Sequence, residues 1–486
     1  MGRALAIDLS ASSGRAMLAE YREGRIVMEE IHRFANDPVM VRGTLYWDIL
    51  RLLHEIKTGI AKAAQAGGFD SMGIDTWGCD FGLLGADGRL LGNPVHYRDR
   101  RTDGWEGFHI PKDEVYMRTG IQHMQLNTLY QLDALTRGSP EQLKDAHRLL
   151  FIPDLLNYFL TGEQKTEYTI ASTSQLLDAH SRDWDWALIE KAGIPRHIFS
   201  DIVQPGSVCG LLSDDICEEL SAPKAKVISI ASHDTASAVA AVPAAEKDFL
   251  YISCGTWALL GTETDGPVIS EKAMRFNFSN EGGVGGTIRF LKNIMGTWLI
   301  QESRRQWIRE GREYGFGELE QMARASEPFR SVIDVDHPDY YKPGNLPERI
   351  RRHCRDTGQP EPVTPGEVIR CIDEGLALKF RYGFDCVRQS TGRDYRRAHM
   401  LGGGARDGLL CQMTADAGGM AVTAGPDEAT VLGNIAMQLI AGGELKDVRE
   451  ARQAVRNSCS LKTYEPGDTS AWLPAYEKLC GIAGIA

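Results

Sequence analysis

Asp8 ends an apolar run and is followed at once by Ser10-Ala11-Ser12-Ser13-Gly14, with Arg15 behind. A turn of small residues lets backbone N–H groups converge on an anion, and its hydroxyls add donors. A carboxylate at the end of a strand can hold Mg²⁺, directly or through water. The same composition also suits a plain hairpin turn. Cys254-Gly255-Thr256 is a second small turn between apolar runs, and the two read together suggest hairpin loops gripping one set of phosphates. Gly402-Gly403-Gly404 stands between a strand-like and a helix-like stretch. Glycines there admit close approach of a flat base or sugar, and a helix N-terminus favours phosphate. Phosphoryl transfer asks for such parts: held phosphates, a metal ion and a group that takes the proton of the attacking hydroxyl. The spacing of a Walker loop does not occur.

A proton acceptor is offered by Ser232-His233-Asp234-Thr235, directly after the apolar run Val227 to Ala231. Side chains at the carboxyl end of a buried strand are placed for function, and Asp234 can serve as general base. Asp234 or Ser232 capping a helix over Thr235 to Ala241 accounts for the residues equally well. In Ile74-Asp75-Thr76-Trp77-Gly78-Cys79-Asp80-Phe81, two carboxylates, a hydroxyl and an indole suit a polyol. A half-buried strand with outward polar residues would read the same. The charge run His96 to Arg101 is expected to be a solvated face. Asn293 and Gln301 are polar positions in an apolar stretch, either surface or ligand contacts.

These residues need a scaffold. A β-meander is predicted from Ala4 to Leu9, Arg15 to Tyr21 and Arg25 to Phe34, then a helix carrying Ile49, Leu52, Leu53, Ile56 and Ile60 on one face. Ser71 to Leu84 reads as strand broken at Gly78, with a hairpin turn at Asp87-Gly88. Thr102 to Leu220 reads as mainly helical, including the apolar block Leu149 to Leu160. The pattern then restarts: strand from Phe249 to Ser253, small turn, strand from Trp257 to Thr262. That repeat suggests two halves of similar architecture, 1–244 and 245–486.

The chain has 486 residues, enough for two domains or more. A formal net charge of −12 disfavours a nucleic-acid surface, because phosphate backbones are bound by clustered cations. No secretory leader and no apolar run of membrane length is recognised, so a cytoplasmic protein without membrane contact is expected. The 10 cysteines have no zinc spacing and read as reduced thiols, with Cys354 and Cys371 able to approach one another.

Taken together, the stretches AIDLSASSGR, SMGIDTWGCDFGLL, GNPVHYRDRRTDG, NTLYQL, ASHDTASAV, SCGTW, NEGG, LKNIMGTWL, LGGGARDGLL and AGPDEATVLGNIAMQL resemble the FGGY carbohydrate kinases. They run in order over nearly the whole chain. The DTWGCDF block is similar to the subgroup acting on L-rhamnulose and unlike the xylulose and glycerol kinases. The resemblance implies an α/β, two-domain fold of the sugar-kinase, actin and heat-shock-ATPase type (ribonuclease H-like) with a central interdomain cleft. It implies a nucleotide site at Ala11, Ser12, Ser13, Gly14, Arg15, Thr256, Gln301, Gly402, Gly403 and Gly404. Asp8 would lie near Mg²⁺, with Asp234 as the second carboxylate assigned to the metal. Gly78, His233, Asp234, Thr235 and Asn293 would meet the sugar, beside Asp75, and Asp234 would be the proton acceptor. ATP and a ketose are the expected partners, the chain acting as a monomer or homodimer. Other acceptors, L-fuculose or L-xylulose, and a non-catalytic actin-like ATPase or sensor are the rival readings. Cys79 and Cys254 stand where relatives more often carry an aliphatic residue and a Ser, and residues from about 465 onward match nothing.

Overall fold

The computed structural model describes residues 2–485. The chain divides into two compact units that are not its two halves. The first comprises the chain up to Ala245, Glu263–Phe290 and Ala429–Ser458. The second comprises Glu246–Thr262, Leu291–Glu428 and the chain from Cys459 onward. The single cut near residue 245 therefore misses two later segments that pack with the first unit.

The first unit is built on a six-stranded sheet in the order Ser207–Leu211, Lys226–Ser229, Ser71–Thr76, Arg3–Leu9, Ser13–Arg22, Arg25–Ala35. Its middle three strands are parallel, with Asp8 in register with Asp75. Hairpins flank them, Asp8 facing Arg15 across one. All but the first residue of Arg3–Leu9 are buried, as expected of a strand covered on both faces. On one face Leu5, Ile7, Leu9, Met72 and Ile74 join Ile49, Leu52, Ile56 and Ile60 of helix Ile49–Gln65 in a continuous apolar core. The opposite face carries Ala4, Ala6 and Gly73, and helix Ala429–Gly442 approaches it. Gln438 donates to the Leu5 carbonyl at 3.0 Å, and a Cβ on Gly73 would lie 2.9 Å from the Asn434 carbonyl oxygen. Small residues are what that close approach requires. A sequence scan for linkers cannot see it, which is why the boundary near 245 captured only part of the first unit.

The meander, the helix and the break at Gly78 fall where the sequence puts them. The apolar block from Leu149 to Leu160 does not form one element. Arg148–Phe151 is a strand pairing with Phe81–Leu84, and Pro153 opens the first turn of helix Ile152–Thr161. Short strands within 102–220, including the sheet edge Ser207–Leu211, were hidden in a stretch read as helical.

In the second unit, Leu250–Cys254 pairs antiparallel with the strand that begins at Trp257 and parallel with Arg397–Leu401. Ala421–Ala424 runs parallel beside the latter, and Lys462–Tyr464 closes on it antiparallel. Each unit thus holds a hairpin with a parallel strand beside its first arm, the architecture the repeated pattern suggested. Helix Pro365–Thr391 is fixed at its start by a Thr364/Glu367 capping box and stopped by left-handed Gly392. Cys354 and Cys371 lie buried with their thiols in mutual contact and unbridged. Among the described residues no helix is long and apolar enough to cross a membrane.

Within the first unit, helices Asp234–Ala240 and Ala429–Gly442 meet backbone to backbone at Gly433, where a Cβ would fall 1.8 Å from the Ser237 carbonyl oxygen. Gly433→Ala should cost about 3 kcal/mol of stability, read as a Tm several degrees below wild type. An unchanged Tm would refute the close crossing.

Candidate active site

Three adjacent parallel strands deliver their carboxyl ends to one edge of the first unit. Asp8 and Asp75 are in register there, and Thr76 forms a parallel bridge with His233, its N–H donating to the Ser232 carbonyl at 2.9 Å. Asp234 follows as the first residue of helix Asp234–Ala240. His233 is the residue before that helix and makes no side-chain capping bond. The capping alternative is thus met only in part: Asp234 Oδ1 accepts its neighbour's Thr235 N–H at 2.5 Å and Thr235 Oγ1–H at 3.0 Å.

The three carboxylates repel one another. Asp75 is wholly buried; burial first, then Asp8, hold its carboxyl far above the usual range. Asn434 Nδ2 donates to its Oδ2 at 2.6 Å. Asp234 is raised chiefly by burial and further by Asp8, against the pull of His233. Its side chain stays 32% accessible, so the carboxyl is hemmed in by protein yet reachable. Asp8 is held by Arg15, whose Nε and Nη2 both donate to Oδ2, at 2.9 and 2.8 Å. The loop beyond is closed by its own serines: Ser10 N–H and Oγ–H both donate to the Ser13 carbonyl, at 2.9 and 3.0 Å. Gly14 is needed for packing, because a Cβ there would meet the Phe34 ring at 2.3 Å. Ala11 and Ser12 are left at the accessible tip.

The loop carrying His233 and Asp234 is anchored from behind. Glu167, fully buried, accepts the Ser232 N–H at 3.1 Å, the Thr169 hydroxyl at 2.6 Å and the Ile170 N–H at 3.1 Å. Thr169 Oγ1 accepts the His233 N–H at 3.3 Å. To the side, Arg289 pairs with Glu281 at 3.1 Å and reaches His233 Nδ1 at 3.2 Å. Burial pushes the Glu281 carboxyl up, but Arg289 and His233 more than offset it and leave it lowered. Glu167, Glu281 and Arg289 went unassigned in the sequence. The NEGG block held Glu281, but nothing in spacing tied it to His233.

Gly78 packs on Thr173, which would lie 3.2 Å from a Cβ there, and left-handed Cys79 (φ 72°) donates its N–H to Thr173 Oγ1 at 3.1 Å. Asp80 is buried and collects the Trp47 and Trp77 indole N–H groups at 2.6 and 3.0 Å and Gln131 Nε2 at 2.9 Å. Trp47 stacks on His96 with centroids 4.0 Å apart. The run from His96 to Arg101 is therefore solvated only in part: Arg98 and Arg100 are exposed, but His96 and Asp99 are buried, and the Arg101 guanidinium bonds Gln131. Burial, with Arg98, pulls the His96 imidazole down to about 3.

In the second unit the nucleotide candidates converge on one turn. Thr256 O accepts the Gly296 N–H at 3.1 Å, and Gly255 O accepts Thr297 N–H and Oγ1–H at 2.9 and 2.8 Å. Gln301 Nε2 donates to Thr297 Oγ1 at 3.0 Å. A Cβ on Gly296 would strike the Gly255 oxygen at 2.6 Å, and one on Gly404 would strike the Cys254 sulfur at 2.6 Å. Gly402 is left-handed (φ 71°), and the three glycines open a short 3-10 turn, Gly402–Arg406, that precedes helix Gly408–Gly418. Burial, then Asp407 and Asp373, push the Cys254 thiol up to about 12 and so keep it a thiol. Asn293 lies on strand Ile288–Met295, in the part assigned to the second unit.

The first unit thus offers a carboxylate-lined strand edge and the second a glycine-lined turn, and similarity to known proteins gives the class of protein. The model of the FGGY family of carbohydrate kinases, N-terminal domain, matches residues 3–241, and that of its C-terminal domain matches residues 250–442. The chain belongs to the FGGY family of carbohydrate kinases. It is 46% identical over 475 residues to a rhamnulokinase of Bacteroides thetaiotaomicron, covering 97% of each chain. It is 41% identical over 467 residues to a rhamnulokinase of Bacillus subtilis, covering 95% of each. In fold it is similar to a ligand-bound xylulose kinase of Lactobacillus acidophilus (TM-score 0.83, 16% identity, 100% of this chain and 98% of that one). It is also similar in fold to glycerol kinase of Plasmodium falciparum with ADP (TM-score 0.77, 15% identity, 98% of each).

Burial raises the Asp80 carboxyl from 3.8 to about 6, against the bonds from Trp47, Gln131 and Trp77. Between those values the folded state binds more protons than the unfolded one, so this group's contribution to stability falls as pH rises and is level above about 6. Asp80→Asn lacks that term. The Tm of wild type minus that of Asp80→Asn should therefore decrease between roughly pH 4 and pH 6 and then stay constant; a pH-independent difference would refute the assignment.

Proposed function

We propose that the protein phosphorylates L-rhamnulose with ATP to give L-rhamnulose 1-phosphate, as a cytoplasmic enzyme of L-rhamnose breakdown. The observation that carries the chemistry is Asp234, a raised, reachable carboxyl at the carboxyl end of the sheet. The choice of sugar is supported by end-to-end similarity to proteins named rhamnulokinase. Asp234 takes the proton of the primary hydroxyl as that oxygen attacks the γ-phosphorus. A raised proton affinity suits this role, since a base works best with a pKa near the operating pH. His233 stands beside Asp234 as a donor for it or for the sugar, and Thr235 Oγ1 fixes the carboxylate's other contact. Asp75, fully buried, supports the site rather than exposing a face to the sugar.

The serine-closed loop Ala11 to Arg15 and the turn at Thr256 are assigned to the phosphates, and Gln301 with the glycines 402–404 to the rest of the nucleotide. Preorganised N–H groups stabilise charge on the transferring phosphoryl oxygens without reorganising. Among the described residues no group of three or more His, Cys, Asp or Glu side chains converges on a metal position. That fits Mg²⁺, which takes one or two carboxylates and completes its shell with phosphate oxygens and water; Asp8 and Asp234 would hold it. When bound, Mg²⁺ neutralises phosphate charge. Arg15 on one oxygen of Asp8 orients that carboxylate.

ADP release over a panel of L-rhamnulose, L-fuculose and L-xylulose should give the highest kcat/KM with L-rhamnulose. No sugar-dependent release from any of them would favour the non-catalytic reading. Asp234→Asn should lower kcat by about 10²–10⁴ while KM for ATP changes little; near-normal turnover would remove Asp234 from the role.

A further inference from the structure

Within residues 72–85 only Gly78 is accessible; its neighbours on both sides are buried. The backbone bends sharply at that point. Cys79 has φ 72°, and the Asp80 N–H donates back to the Gly78 carbonyl at 3.0 Å. A bond that spans one central residue of positive φ is a γ-turn of the rarer, strained hand. Glycine is the usual occupant of such a φ, so a cysteine there persists only if its surroundings hold it. Thr128 Oγ1 donates to the Cys79 carbonyl at 2.7 Å, Thr173 Oγ1 accepts the Cys79 N–H at 3.1 Å, and Cys79 Sγ donates to the Thr173 carbonyl at 3.4 Å. Both backbone polar groups of the central residue are thus bonded to side chains of other elements, helix Thr128–Gly138 and the 3-10 turn Ser172–Ser174. Asp80 is pinned in turn by the Trp47 and Trp77 indoles, by Gln131 and by the Tyr97 N–H at 3.1 Å.

We infer that Thr128 and Thr173 are positioning residues that lock the strained turn at Cys79 and so present the backbone of Gly78 to the sugar. This rests on the reading of Gly78 as a sugar contact. A polyol is told from its isomers by where fixed donors and acceptors stand, and a locked backbone group has no rotamers through which to adjust. Strain held at a buried residue beside the one accessible position is what a preorganised contact requires. All of these groups belong to the first unit, so the nucleotide turn of the second unit does not depend on them. Threonines with a merely structural role would lower stability without separating the sugar from the nucleotide.

The test has two arms. The first compares the Tm of Cys79→Gly with that of Cys79→Ala, without sugar or ATP. Both lose the thiol, so their difference reads the cost of a Cβ at this φ. At an unstrained position alanine is the more stable, because glycine loses more chain entropy on folding; here Cys79→Gly should melt above Cys79→Ala. In the second arm, Thr128→Val should raise KM for the ketose that the panel selects by about tenfold or more, with KM for ATP within a factor of about two. Thr128→Ser, which keeps the hydroxyl, should stay near wild type. Cys79→Ala melting at or above Cys79→Gly overturns the inference. So does an unchanged ketose KM in Thr128→Val, or an equal rise in both KM values. Should Thr128→Val not fold, the order of melting of the two Cys79 variants decides alone. That comparison needs no substrate, so a failure of the L-rhamnulose assignment is read separately in the ketose panel.

Discussion

Three carboxylates at neighbouring strand ends should not coexist cheaply. Asp8 and Asp75 are brought level by parallel pairing, and Asp234 follows one strand over. Each feels the others, and the fold answers each differently. Arg15 neutralises Asp8 from across a hairpin, Asn434 bonds Asp75 from a helix more than three hundred residues later in the chain, and His233 faces Asp234. The result is graded rather than uniform: the buried member has its proton affinity raised furthest from the usual range, one is held by an arginine, and the reachable one retains a raised proton affinity. Pushing the proton affinities of neighbouring carboxylates apart is how a site assigns them different tasks.

That grading explains why the first unit recruits the segment Ala429–Ser458. Asn434 reaches the Gly73 carbonyl at 3.2 Å as well as Asp75, and Gln438 reaches both Asn434 and the Leu5 carbonyl. These amides satisfy groups that a purely apolar helix would leave unpaired, and an unpaired buried polar group costs more than a bond gains. The approach is possible only because Gly433 meets the Ser237 carbonyl and Gly73 meets Asn434 without a side chain in between. The electrostatics of this strand edge and the interleaved chain organisation are therefore two aspects of one packing arrangement.

Much of this is legible in the sequence, where the cause is local. Asp8, Asp234 and the small turns are visible because a strand's carboxyl end and the turn chemistry after it are written within a few residues. The repeated hairpin is visible for the same reason. What could not be read is long-range. Glu167 anchors Ser232 across 65 positions, and Arg289 meets His233 across 56. No period or motif joins them. The run from His96 to Arg101 misleads because charge in sequence suggests solvent, whereas Asp80 and two indoles draw it inward. Nor does the sequence show that the smallness of Gly14 also serves the Phe34 ring.

The second unit shows how far smallness alone can specify a site. Gly296 and Gly404 come from two separated blocks, yet each must lack a Cβ to pack against the turn at Cys254 and Gly255. Thr297 then ties the turn to Gln301 by a continuous hydrogen-bond path. Cys254 completes the packing with a thiol that burial keeps protonated and therefore a poor nucleophile. A serine there would bring a stronger donor against Gly404, whose own missing side chain is what admits the sulfur. The cysteine and the glycine are best understood as a matched pair, the sulfur filling the space that a side chain at Gly404 would take.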